Sequence, residues 1–414
     1  MTPPRILGVV MARDEWPMVA LAITHALSGH VEHVAVLDHA STDASRTGLE
    51  RLQQEWPGRI TVFWLDDPGF LQEAATNLIV RLGRAWEYDW VYVFDADEFV
   101  LTPAGLALPA VLADVAVDVD VVRYEVHNWV APTSFDESQL RAYREIRQRA
   151  VPNVFVDVPG ELLADEIEHG SMNFFDVPFA SKVIVRGRAT AWIGAGAHGV
   201  RLARDVHETV LMPSRLRAGH LPLVSRARLH RKARQGQALI DAGFSPRHGW
   251  QSRMFRNLEL SGRLDGFWAA HSIAEPLGEV PGATPTTERD DALAEALERS
   301  LRGLDDAVHA SLPAERTDCD RGHVPLGAAV AAVHVLQVSC DAVAAERHAE
   351  MAVLAAERDA AVAVSEVLTS ERDAAAAASD ARSVERDDAL AQLHAIQTSR
   401  IWRSSAGYRR WRSR

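Results

Sequence analysis

Two cysteines, Cys319 and Cys340, and two lysines, Lys182 and Lys232, are all that a chain of 414 residues carries of either type. So few cysteines, both late in the chain, exclude a disulfide framework and the paired spacing of a zinc site, and fit a reducing cytoplasm. Positive charge is in deficit: 44 Lys and Arg stand against 57 Asp and Glu, a net charge of -13. A phosphate backbone attracts a basic surface, so general nucleic-acid binding is excluded. An acidic protein that handles anions has to concentrate its arginines locally or recruit a metal. Long apolar runs are missing too. The longest bland one, PLGAAVAAVHVLQVSC (325–340), is too short and Ala-rich to span a bilayer and reads as a packed helix. The start, MTPPRILGVVMARDEW, lacks the charged region, apolar stretch and cleavage site of a secretory signal. Neither G-x-G-x-x-G after the first strand nor a P-loop is present, so a nucleotide, if bound, is held some other way.

What is there is an alternation of strand and helix. RILGVVMA (5–12), VEHVAVLD (31–38), RITVFWLDD (59–67) and WVYVFD (90–95) read as strands. Between them WPMVALAITHALSG (16–29), STDASRTGLERLQQEW (41–56) and LQEAATNLIVRLGRAW (71–86) read as helices. Such alternation over short loops predicts an α/β fold, a mostly parallel sheet flanked by helices. Residues 119–275 are less regular, with strands at VDVVRYEV (119–126) and ASKVIVRG (180–187) among loops rich in Gly, Pro and His. The expected first domain ends near 275. A linker follows at 276–292 on the strength of GEVPGATPTTERDD, then a helical segment at 293–340.

Residues 341–399 predict a long Ala/Glu/Arg helix. ERHA, ERDA, ERDA and ERDD begin at Glu346, Glu357, Glu371 and Glu385, spaced by one hendecad and two double heptads, periods that keep one face aligned. This C-terminal helical extension is a candidate coiled coil for self-association, although 372–383 offers mostly alanine to a seam. The tail SRIWRSSAGYRRWRSR is basic and aromatic. Peripheral contact with an anionic membrane face and a frayed end are its two readings.

In open parallel sheets, ligands bind outside the carboxyl ends of the strands. Every such end here is acidic: ARDE (12–15), DHASTD (38–43), DDPGF (66–70) and DADE (95–98). In an extended segment Asp95 and Asp97 point to one side while Ala96 turns away. Paired carboxylates at that spacing begin a hard divalent site suited to Mn²⁺ or Mg²⁺, which would clamp a diphosphate. His25, His30, His33 and His39 carry no such support and are expected on the surface or in loops.

VVMARDEW, VAVLDHASTDAS and WVYVFDADEFV together resemble the nucleotide-binding blocks of family 2-like glycosyltransferases with the GT-A fold. The similarity is to the bacterial branch whose strand ends in D-x-D-E-F. It continues in ASKVIVRGRATAWIGAGAHGV (180–200) and GHLPLVSRARLHRKARQG (219–236), so it spans roughly residues 5–275. Both lysines fall inside these later blocks. In a chain that otherwise uses arginine, that placement suggests a need for a compact ammonium.

The resemblance implies a metal-dependent, inverting, hexosyltransferase-like enzyme. It would move a sugar from a nucleotide-sugar donor (a UDP- or GDP-sugar) to a glycan or cell-surface precursor acceptor at the inner face of the membrane. It implies that Asp38 and Asp43 contact base or ribose, with Arg13 flanking the pocket; helix capping is an equal role for Asp43. Asp95 and Asp97 would hold the metal, with His198 as third ligand and His220 the second choice. Glu98 would order the loop or meet the sugar, Gln72 would face the donor, and Lys232 would approach phosphate or acceptor. Inversion needs a carboxylate base. Asp165 and Glu166 are candidates, together with Asp136, Glu137 and Glu161, and spacing does not choose among them. His39 departs from the acidic or Asn residue that many relatives have there, which leaves the nucleotide preference open. A catalytically silent scaffold that recruits partners through the coil is the alternative; a nucleotidyltransferase would want a Gly-rich basic loop where ARDEW stands. Asp97→Ala is expected to abolish metal-dependent donor binding with the fold intact.

Overall fold

The computed structural model describes residues 2–65, 75–77, 79–81, 86–103, 106–153, 160–189, 191–202, 207–241, 250–273, 285–301 and 304, and beyond these only 388, 391 and 392. The chain divides into two units after Arg321, and the fold below is that of the first. Gln72, the long Ala/Glu/Arg helix and the basic tail lie outside the described residues.

Four strands form the heart of the sheet: β1 (Ile6–Ala12), β2 (His33–His39), β3 (Ile60–Leu65) and β4 (Trp90–Asp95). They lie parallel in the order β3-β2-β1-β4. Six of the seven β1 residues are buried, as expected of a strand covered on both faces. Register aligns their carboxyl ends, because Ala12 pairs with Asp38, Met11 with Asp95, and Asp38 with Trp64. The acidic ends of β1, β2 and β4 therefore share one physical edge, while DDPGF (66–70) lies outside the described residues.

Helix α1 (Met18–Leu27) is buried at all ten positions, so it is apolar all round rather than striped. Helix α2 (Ser45–Glu55) buries Gly48, Leu49 and Leu52 and leaves its charged face to water. After β5 (Glu98–Leu101) and α3 (Leu108–Ala113) comes the long strand β6 (Val121–Val130), then β7 (Gln148–Ala150) and α4 (Gly160–His169). Strand β8 (Lys182–Arg186) inserts antiparallel between β4 and β6. Its direction matters, because the N-terminal residue of an antiparallel strand sits at the carboxyl rim of its parallel neighbours. Lys182 arrives there for that reason.

The short pair β9 (Ala191–Ile193) and β10 (Val200–Leu202) stands apart from the main sheet, and β11 (Glu208–Val210) runs along β6. Strand β12 (Arg217–His220) pairs with both β5 and β6, setting His220 opposite Glu98 and Asn128. Helices α5 (Arg226–Asp241), α6 (Trp250–Leu260) and α7 (Leu264–His271) follow. Mixed α/β with a curled, mostly parallel core sheet flanked by helices is the GT-A-like architecture expected. Among the described residues no helix is long and apolar enough to cross a membrane.

The first domain runs past the expected boundary at 275. Strand β13 (Thr287–Arg289), inside the expected linker, pairs with β7. Helix α8 (Ala292–Leu301) buries Leu293 and Leu297 completely. Asp290 ties this segment in by ion pairs with Arg217 at 2.9 Å and Arg149 at 3.2 Å, while its carbonyl takes the Trp129 indole at 3.1 Å. Pro, Gly and Thr marked a linker, but its described part pairs as β13 and leads into a helix whose apolar face joins the core.

The histidines near the N-terminus also depart from expectation. His25, His30 and His39 are buried, leaving only His33 near the surface. His25 spans two elements, with Nε2 2.7 Å from the Val100 carbonyl and Nδ1 3.0 Å from Ser300 Oγ on α8. Burial pushes its pKa down to about 4. A histidine depressed in the folded state charges more readily once unfolded, so stability falls as pH drops from about 6.5 toward 4. Urea denaturation at pH 7 and 4.5 is expected to show that loss reduced by about 2 kcal/mol in His25→Gln. Equal losses in both chains would mean that His25 does not titrate this way.

Candidate active site

The β1–α1 and β2–α2 loops are stitched together by short polar side chains. Asp14, at φ 55°, accepts from the amides of Thr42 (2.6 Å) and Asp43 (3.1 Å), while its own amide donates to Ser41 Oγ at 3.0 Å. The buried Ser45 Oγ accepts from the amides of Glu15 and Trp16, both at 3.0 Å. Asp43 is exposed and accepts from Ser45 N at 2.8 Å, the geometry of the helix-start role. The Arg13 carbonyl accepts from Gln235 Nε2 at 3.1 Å, which fastens this loop to α5.

Asp38 is 1% exposed, yet among the described residues one of its oxygens has no hydrogen-bond partner, while the other accepts from Ser41, whose amide lies at 3.4 Å. Burial raises its pKa. A buried carboxylate oxygen without a donor costs about 1–3 kcal/mol, and such groups mark places where a ligand completes the bonding.

The central finding concerns Asp95 and Asp97. Strand β4 ends at Asp95, residues 96 and 97 turn, and β5 starts at Glu98, so the two-residue alternation of a strand does not run through the motif. The aspartates consequently acquire separate partners. Lys182 Nζ donates to Asp95 Oδ2 at 2.6 Å and lies 2.6 Å from Glu98 Oε2. Lys232 Nζ donates to Asp97 Oδ2 at 3.1 Å, an oxygen it shares with Arg228 Nη2 at 3.2 Å. The only two lysines in the chain thus each end on one aspartate of Asp95-Ala96-Asp97. Arg228 also pairs with Glu15, joining the β1–α1 loop to the β4–β5 turn.

The electrostatics of the two halves differ. Burial opposes charge on Asp97, yet Lys232, His220 and Arg228 together hold it well below the usual carboxylate range. Glu98 is wholly buried and its carboxyl is pushed up to about 8 by desolvation, against the pull of Lys182. That ammonium serves two acids, of which Asp95 is a third exposed. Lys182 is held charged despite its burial, chiefly by Asp95. Desolvation also pushes Glu15 up, to about 7, with Arg228 opposing.

His198 follows a 3₁₀ turn over Ala195–Ala197 in which Gly196 has φ 66°. A Cβ at Gly196 would lie 2.8 Å from the His198 ring, so glycine there lets the imidazole fold back. His198 Nδ1 is 3.1 Å from the Ser181 carbonyl. A carbonyl only accepts, so Nδ1 carries the proton and Nε2 is a bare lone pair, the arrangement by which ligating histidines are oriented. Burial, with Lys182 adding, pushes its pKa down to about 4. The Phe179 ring lies between the histidines, 5.5 Å from His198 and 4.3 Å from His220. His220 Nδ1 bonds Asn128 Oδ1 at 2.8 Å and its Nε2 stands 3.6 Å from Asp97 Oδ1.

The donor chemistry therefore fits a divalent cation: carboxylate oxygens of Asp95 and Asp97 and a neutral imidazole. Among the described residues no three His, Cys, Asp or Glu side chains stand together as a metal-holding group.

The candidate bases separate by position. Asp165 and Glu166 are exposed on α4, and Glu166 bonds Ser171. Asp136 bonds Ser138 and Gln139 beside it. The side chain of Glu161 lies outside the described residues. Glu137 meets the site, accepting from Arg231 of α5 at 2.8 Å. Sequence reasoning missed Glu15, Arg228 and Arg231. The signal was the spacing of Arg228, Arg231, Lys232 and Gln235 at i, i+3, i+4 and i+7, which puts four polar residues on one helix face.

No family model matches the chain, and no curated protein matches it. Among solved structures, S. aureus TarS 1–349 shares 14% identity at a TM-score of 0.31, covering 64% of this chain and 74% of that one, and the same protein in complex with UDP gives the same values. A mycobacterial protein shares 15% identity at a TM-score of 0.27 over 58% of this chain and 76% of that one. At such values the site rests on the geometry of the chain itself.

Proposed function

We propose that the chain is a nucleotide-sugar-dependent glycosyltransferase acting on a glycan or cell-surface precursor. The observation that supports this most is the carboxyl rim itself, where Asp38 and Asp95 stand at the ends of β2 and β4 and Asp97 in the turn that follows, with Lys182 on Asp95 and Lys232 on Asp97. In this reading Asp38 accepts from hydroxyl or ring N–H groups of the nucleoside, which supplies the donor its free oxygen lacks. Arg13 flanks that pocket, and Lys232, beside Asp97, is the cation that meets phosphate. Asp95 and His198, with Asp97, would hold Mn²⁺ or Mg²⁺, which when bound would neutralise charge building on the leaving diphosphate. Inversion would use a carboxylate to take the acceptor proton. Self-association through the C-terminal helix and membrane contact by the basic tail belong to the same reading.

The silent-scaffold alternative draws on one observation, that both aspartates already carry an ammonium partner. Calorimetric titration of the full chain with UDP- and GDP-sugars, with and without Mn²⁺, separates the two. The enzyme reading expects binding to at least one donor that tightens about tenfold or more with Mn²⁺, roughly 1.4 kcal/mol. Absence of metal-dependent binding to every donor would sink it.

A further inference from the structure

We propose that the inward face of α5 is an oxyanion-binding subsite in which the side edge of the Arg231 guanidinium takes a phosphoryl or carboxylate group of the substrate. Arg228, Arg231, Lys232 and Gln235 share this face and meet four different segments of the domain. Arg228 reaches Glu15 and Asp97. Lys232 reaches Asp97 and the Pro222 carbonyl, the latter at 3.0 Å. Gln235 reaches the Arg13 carbonyl, and Arg231 reaches Glu137. Three cations thus crowd one helix face in a protein whose net charge is -13.

Arg228 Nε lacks a partner, but Arg231 leaves both nitrogens of one guanidinium edge without one. Its Nη1 bonds Glu137, but Nε and Nη2 are buried and have no hydrogen-bond partner. Those two nitrogens form the planar side edge that receives carboxylate or phosphate through two parallel bonds. Orphaned charged donors are costly in the folded chain, and an oxyanion would satisfy both at once. The side chain as a whole is 23% exposed, so the guanidinium lies near the surface of the site. Lys232 and Arg228 stand beside it to share the charge.

The identity of the natural ligand rests on the glycosyltransferase reading, whereas the site itself does not. The full chain is therefore titrated with inorganic pyrophosphate and orthophosphate in EDTA, where metal-dependent donor binding plays no part. Arg231→Gln is expected to weaken pyrophosphate at least tenfold. Arg231→Lys, which keeps the charge and loses the forked edge, is expected to weaken it at least threefold and carries the test should the glutamine variant not fold, as judged by its melting temperature. Failure of the wild-type chain to bind either anion, or affinities within twofold of wild type in the folded variants, would overturn the proposal. A competing titration with UDP assigns the source. Displacement of pyrophosphate marks the donor diphosphate, and simultaneous binding marks an anionic acceptor; both outcomes support the subsite.

Discussion

Asp97→Ala is expected to destabilise the chain by roughly 3–5 kcal/mol, the range for breaking a buried ion pair from one side. Asp97 is 6% exposed and faces Lys232, Arg228 and His220. Its removal leaves Lys232 without its carboxylate and the 3%-exposed Arg228 side chain with Glu15 alone to offset its burial. The folded pKa of Asp97 lies well below the ordinary value of 3.8, so its contribution is complete above about pH 4 and fades as pH falls through the depressed value. The deficit of the variant is accordingly expected in full at pH 7 and smaller in strong acid. Urea denaturation across that range checks it. This departs from the expectation drawn from the sequence, in which Asp97→Ala lost binding and kept its fold. A variant that melts with the wild type and fails only in donor binding would restore that simpler view.

Much of the first hundred residues was legible because the physics there is local. Continuous apolar runs such as ILGVVMA bury on both faces, and parallel register then carries every strand end to one rim. The D-A-D motif was legible as a site but not in its geometry, because a turn at Ala96 and Asp97 breaks the alternation that two-residue spacing assumes. The partners of the two aspartates come from β8 and α5, which lie 87 and 135 residues onward. No local pattern announces such contacts. The scarcity of lysine did so indirectly, because a chain that otherwise uses arginine kept an ammonium only where it meets one of these aspartates. Burial of His25 and His30 was unreadable for a related reason: what covers them includes Val100 and Ser300, again from distant segments.

Lys182→Met tests the other half of the rim, and its expected signature is a pH dependence rather than a single number. Lys182 is completely buried between Asp95 and Glu98, and methionine preserves most of its length while removing the charge. The two acids have different escapes. Asp95, a third exposed, can lean on water, whereas Glu98 can remain buried only by holding a proton. In the wild-type chain Glu98 already holds one up to about pH 8, because desolvation outweighs the pull of the ammonium. A carboxyl raised in the folded state stabilises below its unfolded pKa and loses that contribution as pH rises through the folded value. Without Lys182 the folded value moves higher still, so the variant keeps losing stability above pH 8 where the wild type has levelled off. The expected deficit is about 2 kcal/mol at pH 6, below the range for a broken buried pair because Glu98 is neutral there. It should grow by about 1 kcal/mol by pH 9, within the roughly 1.4 kcal/mol that each pH unit of a shifted group allows. Lys182→Arg should not rescue it, because a planar fork needs more room than a compact ammonium in a fully enclosed site. Denaturation curves at pH 6 and pH 9 decide the matter: a deficit equal at both would show that Glu98 holds the same charge with and without Lys182 over that range, and that the ammonium does not set its protonation.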